Sequence, residues 1–197
     1  MKKVLWFDLE TTGIDPDRHG IIQFAGLAEI EGVVAESFEI KMQPHEGAMI
    51  EDEALAVSGF SREQIASFTP HAEAYKAIDG FLARHVSRFE RNDKFYPAGY
   101  NVRFDLDFLS RMFRRYDQYG LGSFINWRSL DPQPILNIME YMGRLSLPNH
   151  KLQTVCEHLG VRLENAHDAL SDIKATRELM ELLMEHVSIA PFTGLRT

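Results

Sequence analysis

Val4-Leu5-Trp6-Phe7-Asp8-Leu9-Glu10-Thr11-Thr12-Gly13 is the stretch whose reading decides the fold. Residues 3–10 alternate and are rich in β-formers, which predicts a strand. Side chains alternate along a strand, so Asp8 and Glu10 lie on the same side of it. A run such as Val4 to Phe7 suits a central strand, and acids at the end of a buried strand are unusual unless paired or metal-bound. Thr11-Thr12-Gly13 breaks the strand, and the glycine lets another backbone or a ligand come close. Asp15-Pro16-Asp17 is turn chemistry.

Working outward, Ile21 to Ile30 and Val33 to Met42 read as two more strands joined by a Glu31-Gly32 hairpin turn. Pro44 to Phe60 is a loop with one short helix, and Ser61-Arg62-Glu63-Gln64 caps a helical turn. Pro70 suits the first turn of a helix from about His71 to Phe89. Lys94 to Tyr100 reads as a strand, Val102 to about Tyr119 as a helix with Phe104, Phe108, Leu109, Met112 and Phe113 as its apolar stripe, and Phe124 to Leu130 as a fifth strand. Helices follow at Pro132 to Met142, at Lys151 to Leu159 before Gly160, and at about His167 to His186 after Asn165. The order predicts an α/β domain over residues 1–187, a mixed five-stranded sheet with helices on both faces, and a loose or docking tail over 188–197.

At 197 residues, 45% hydrophobic and 25% charged, the chain suits one soluble domain. No apolar run approaches the roughly 20 residues that cross a membrane. Asp8 and Glu10 end the N-terminal apolar run too early for a signal h-region. A single cysteine, Cys156, excludes an internal disulfide and fits a cytoplasmic location. The net charge of −8 argues against a passive nucleic-acid coat, which is normally basic, but not against an enzyme whose site is acidic until cations fill it. Arg111, Arg114 and Arg115, like Arg84, Arg88 and Arg91, read as solvated helix faces.

Three further stretches carry acids: Tyr100-Asn101-Val102-Arg103-Phe104-Asp105, His167-Asp168-Ala169-Leu170-Ser171-Asp172, and Asp131 after Trp127-Arg128-Ser129-Leu130. Taken singly, each has a plain structural reading. Asn101 suits a helix N-cap and Asp105 the first turn after it. His167 at a helix start is kept neutral by the dipole, and Asp168 and Asp172, four apart, repel mildly. Brought together, the carboxylates and the histidine make a site for two hard divalent cations beside a general base, which is equipment for hydrolysing a phosphodiester.

The three principal motifs, in this order, resemble those of the DnaQ-like 3′–5′ exonucleases, the DEDDh branch of the ribonuclease H-like fold. Phe7-Asp8-Leu9-Glu10-Thr11-Thr12-Gly13 matches the first motif, Asn101-Val102-Arg103-Phe104-Asp105 the second, and His167-Asp168-Ala169-Leu170-Ser171-Asp172 the third. Leu152 to Val161 is similar to a further helix of the family, and the resemblance spans about residues 3–186. Two positions depart from the pattern: Ser58 in Val57-Ser58-Gly59-Phe60, and Tyr100 before the second motif, both where the family often has histidine. Neither is a metal-ligand position.

The resemblance implies that Asp8, Glu10, Asp105 and Asp172 hold two Mg²⁺ or Mn²⁺ ions and that His167 is the general base. It implies that Leu9, Thr11 and Thr12 lie at the terminal nucleotide, and Phe60, Tyr100 and Asn101 are further candidate substrate contacts. The expected substrate is a nucleic-acid 3′ end, single-stranded DNA first, degraded to 5′-mononucleotides. A polymerase or another replication or repair protein is left open as a partner. Trimming of RNA ends is the alternative. A silent binding module would have lost an acid or the histidine, and none is missing.

Overall fold

The structure is a computed structural model and describes residues 2–164 and 168–186. His167, Asn165 and the 188–197 tail lie outside the described residues. The sheet has four strands in the order β3-β2-β1-β4: β1 is Lys3–Thr11, β2 Ile21–Ile30, β3 Val33–Lys41 and β4 Tyr96–Ala98. β1 pairs antiparallel with β2 and parallel with β4, and β2 pairs antiparallel with β3. The mixed α/β fold is as expected, with helices α1 (Asp52–Ser58), α2 (Arg62–Ala66), α3 (His71–His85), α4 (Val102–Tyr116), α5 (Pro132–Tyr141), α6 (Leu152–Leu159) and α7 (Ala169–His186).

Period 2 in β1 divides the core. Leu5, Phe7 and Leu9 join Phe24 of β2 and the buried faces of α3 and α4, including Ile78, Phe81, Leu109 and Phe113. Trp6 packs on the opposite side with Ala25, Leu27 and Ala98, beneath Ala169, Ile173 and Met180 at α7. The α7 side of β1 therefore reads Val4, Trp6, Asp8, Glu10, apolar and then acidic. A third cluster joins α5, α6 and α7 through Leu136, Val155, Cys156, Leu179 and Leu183. The β2–β3 hairpin turns on Glu31 and Gly32, both at positive φ (53° and 83°), as a two-residue turn of that hand requires. No described helix is long and apolar enough to cross a membrane.

Three expectations are corrected. The fifth strand, Phe124 to Leu130, is two isolated parallel bridges, Phe95↔Ile125 and Ala98↔Leu130. Ile125 and Leu130 are five positions apart but Phe95 and Ala98 only three, so the ladder cannot stay in register. Backbone bonds hold both ends (Asn126 N–H to Phe95 O, 2.7 Å; Leu130 N–H to Pro97 O, 2.9 Å), and the middle bulges out. α3 stops at His85, short of Phe89, because Val86 is extended; Lys3 Nζ donates to the His85 carbonyl at 2.6 Å and Asp93 accepts from Ser87 N–H at 2.8 Å. α4 ends at Tyr116, short of Tyr119, at the extended residue Asp117.

Gly99 lets α4 approach β1: a Cβ there would lie 2.8 Å from the Phe7 carbonyl oxygen and 3.2 Å from Val102 Cγ2. The first neighbour is backbone of the central strand and cannot turn aside. Gly99→Ala is expected to destabilise the protein by about 1–3 kcal/mol, as overpacking does. Urea unfolding measures this, and an unchanged midpoint would show that the junction is looser than described.

Candidate active site

β4 pairs with β1 only as far as Trp6↔Ala98, so the last residues of β1 run on past it. Asp105, from the first turn of α4, reaches that protruding edge: Leu9 N–H donates to its Oδ1 at 3.1 Å. The bond ties the second motif to the first, between Asp8 and Glu10. Asp172 enters from the first turns of α7, on the face of β1 that carries Asp8 and Glu10. Asp105 and Glu10 are buried and Asp8 half-buried.

The electrostatics follow from this crowding. Burial pushes the Asp8 carboxyl well above the usual range, and Asp105, Glu10, Asp172 and Asp168 push it further. Glu10 is raised from 4.5 to about 7, chiefly by burial, then by Asp172 and Asp168. Asp105 is also raised by burial, and the Leu9 N–H opposes that. Among the described residues, Asp8, Glu10, Asp105 and Asp168 form no ion pair with a basic side chain. The donors are all oxygen, and among the described residues Asp8, Glu10 and Asp105 meet no basic side chain, which fits a hard divalent cation. As placed, no three His, Cys, Asp or Glu side chains among the described residues form a closed metal cage. The fit is thus one of charge and donor chemistry.

Beside Glu10 opens a cleft of about 220 Å³, lined by Leu9, Thr11, Gly13, Ile14, Ala54, Val57 and Phe104. Ile14 and Val57 are exposed apolar side chains. Sequence reading missed Ile14, Ala54 and Val57, and read Phe104 as core. It is half-buried, leaning on Phe108 with ring centroids 5.0 Å apart. The signal available in the sequence was an apolar residue, Ile14, directly after the strand-breaking glycine.

Other candidate residues sit elsewhere. Thr12 is fully buried, its hydroxyl donating to Met49 O (2.6 Å) and accepting from Gly20 N–H (2.9 Å). Phe60 packs edge-on against Phe68 under Lys41 and does not line the cleft. Tyr100 is half-buried and donates its hydroxyl to His150 O at 2.7 Å. Ser58 donates to Leu55 O at the end of α1. Asn101 is exposed and left-handed (φ 56°), and its side chain makes no capping bond. Asp131 does that work: it accepts from the N–H groups of Asn101 (3.3 Å) and Val102 (3.1 Å), and from Gln133 N–H (3.0 Å) at the start of α5. Asp131 thus fastens two helix starts. Asp168 likewise accepts from Ser171 N–H (3.1 Å) and Oγ–H (2.8 Å) at the start of α7.

This fold recurs in solved structures. E. coli exonuclease I in complex with a dT13 oligonucleotide superposes with a TM-score of 0.72 at 23% identity, over 94% of this chain and 41% of that one. A zinc-bound form of the E. coli exonuclease I–single-stranded DNA complex gives a TM-score of 0.77 at 21% identity, over 95% and 41%. Among curated relatives, a DNA polymerase III PolC-type protein of Oceanobacillus iheyensis is 26% identical over 92% of this chain, which spans only 11% of that protein's length. An oligoribonuclease of Hahella chejuensis is 27% identical over 93% of both chains. Residues 5–180 match the RNase_T exonuclease family, and with its three acidic motifs in DnaQ order the chain belongs to that family.

Proposed function

We propose that this protein is a divalent-metal-dependent 3′–5′ exonuclease that removes 5′-mononucleotides from single-stranded ends. The observation that carries the reading is the group of carboxylates with raised pKa at the end of β1, bordered by an apolar cleft. Asp8, Glu10, Asp105 and Asp172 are the residues that would hold two Mg²⁺ or Mn²⁺ ions. When bound, such ions supply Lewis acidity at the scissile phosphate and lower the pKa of water. His167, two residues before α7, takes the proton of the attacking water. Leu9, Ile14, Val57 and Phe104 take the terminal nucleotide by apolar contact and exclude solvent, without reading sequence. An unpaired end enters such a cleft without the few kcal/mol needed to open a duplex. Cys156, the lone thiol and buried, suits a reducing cytoplasm.

DNA is the preferred substrate class in this reading, supported by the PolC-type relatives, whose name also supports work beside a polymerase in proofreading or repair. The RNA-trimming alternative has its own support, since the oligoribonuclease relative corresponds to this chain nearly end to end. With same-sequence 5′-labelled DNA and RNA single strands, the expected product is a descending ladder, faster on DNA; Asp8→Asn gives none. A tenfold or larger kcat/KM preference for RNA would select the alternative, and cleavage of a circular strand would contradict exonuclease action.

His167→Ala is expected to lose about 10²–10⁴-fold in turnover near neutral pH, the usual worth of a general base. Alkaline pH should restore part of that loss, since hydroxide replaces the base. A pH–rate profile of the variant checks both points, and near-wild-type turnover would move the base elsewhere.

The raised Glu10 pKa also has a sign for stability. The folded protein holds this proton more tightly than the unfolded chain does. Its contribution is full below about pH 4.5 and lost as the pH rises through about 7. A divalent cation binds the ionised form and offsets the repulsion. Saturating Mn²⁺ should therefore raise Tm more near pH 8 than near pH 5, relative to chelator. An equal rise at both pH values, by differential scanning fluorimetry, would separate metal binding from these carboxylates.

A further inference from the structure

The two extra residues in the 124–130 segment create a surface that the catalytic reading does not use. Between the bridges at Ile125 and Leu130 the chain bulges outward and leaves Trp127 85% exposed. Arg128 lies against that ring, its guanidinium 5.1 Å from the centroid. Next to the bulge is a recess of about 510 Å³ lined by Lys2, Arg91, Lys94 and Arg128, with Asn92 and Asn126 among the polar groups and Glu31 the acid. Lys94 Nζ donates to the carbonyls of Arg88 and Ser123, which holds that side chain in place.

The charge balance here runs against the rest of the chain. Acids outnumber bases 29 to 21, and Arg62, Arg84, Arg88, Arg103, Arg111 and Arg177 each meet a carboxylate. Among the described residues, none of the side chains of Lys2, Arg91, Lys94 and Arg128 is in an ion pair, although the Lys2 backbone N–H donates to Glu31 at 2.8 Å and the Asp93 charge acts on Lys94. Four cations around one recess, beside an exposed indole, complement a polyanion that carries aromatic rings. Single-stranded nucleic acid has that chemistry: phosphates for the cations, base faces for the ring.

Position links the recess to the catalytic site. Lys2, just before β1, stands six positions ahead of Asp8, roughly 20 Å at strand rise. The bulged segment bridges that gap. At one end Asn126 lines the recess, and at the other Asp131 is bonded to the start of α4, the helix that carries Asp105. A strand stacked at about 3.4 Å per nucleotide covers the distance in about six nucleotides.

We propose that the recess and Trp127 form a second contact for the 5′ portion of a single-stranded substrate, about six nucleotides or more from the 3′ end being hydrolysed. This rests on the exonuclease reading above. The surface gives a substrate-length preference: oligonucleotides that reach it bind more tightly than those that do not, while the chemical step is the same for both.

The test uses a variant combining Arg91→Ala, Trp127→Ala and Arg128→Ala, all at exposed positions, with an unchanged melting curve as the control for folding. KM and kcat are measured on dT4 and dT20, with rU4 and rU20 in parallel. Anisotropy of labelled dT20 and rU20 is followed in chelator across a salt series. For the wild type, the 20-mers should show the lower KM. The variant should raise KM for the 20-mers about tenfold or more, leave their kcat unchanged, and leave the 4-mers within twofold. The slope of log affinity against log salt should fall by about 1.4, for two lost phosphate contacts on a single strand. A 20-mer KM within twofold of wild type, or an equal shift for both lengths, would overturn the proposal. If neither protein degrades any oligonucleotide, the exonuclease reading fails, and the chelator titration still decides the surface: tenfold weaker binding by the variant supports it, and equal binding overturns it.

Discussion

Three carboxylates gathered at the end of one central strand work against folding, and much of the chain is arranged to hold them there. Asp8, Glu10 and Asp105 are each pushed toward protonation by burial and by their acidic neighbours. A stretch like this persists only where the surrounding packing over-determines it. The packing comes from both sides of β1. Leu5, Phe7 and Leu9 lock into the larger apolar cluster, while Trp6 packs under α7. The acids take the last two places on a face whose earlier places are apolar, so the core that fixes the strand also fixes their position.

The helices that complete the site are aimed by polar groups remote in sequence. α4 begins at a left-handed Asn101 and approaches β1 closely because Gly99 has no side chain. Its unpaired amide groups are taken by Asp131, thirty residues on, whose carboxylate also serves the start of α5. Asp105 then reaches Leu9 N–H just beyond the end of β4. At α7, Asp168 ties Ser171 and leaves Asp172 to face the strand. Two groups of acids thus shape this site: those that hold helix starts and those gathered against β1. Asp131 and Asp168 accept from backbone amides at helix starts, whereas Asp8 and Glu10 are pushed toward protonation by burial and by neighbouring carboxylates, Asp168 included.

That division explains what was legible in the sequence. Alternation in residues 3–10 identified β1 and the shared side of its acids, because period 2 is a local property. Gly160 and the Ser61–Gln64 pair likewise marked local turns of backbone, and both are realised, the first at φ 74° and the second as a reciprocal cap. Asn101 was misjudged because a better acceptor arrives from another segment, and no local pattern announces that. The fifth strand failed for a related reason: Phe124 to Leu130 has strand composition, but register with β4 is a property of two segments together. Phe104 fits the apolar stripe of α4, yet its place at the first turn puts it at a cleft wall that only the fold creates.

The chemistry of that cleft bears on how the protein would treat a sugar. Among the residues that line it, only Glu10 and Thr11 carry polar side chains. The Thr11 hydroxyl donates its proton to Gly13 O at 2.8 Å, so its oxygen is left to accept. Glu10, once ionised, also only accepts. A ribose 2′-hydroxyl placed there would meet acceptors and give its proton, whereas deoxyribose would offer a C–H to the same atoms. The apolar wall of Leu9, Ile14, Val57 and Phe104 treats both sugars alike. Any discrimination by this cleft must therefore arise from the two acceptors, or from exclusion of the extra oxygen by the apolar side chains. Those forces act in opposite directions, one favouring RNA and the other DNA, and the balance is set within a few ångströms of Glu10.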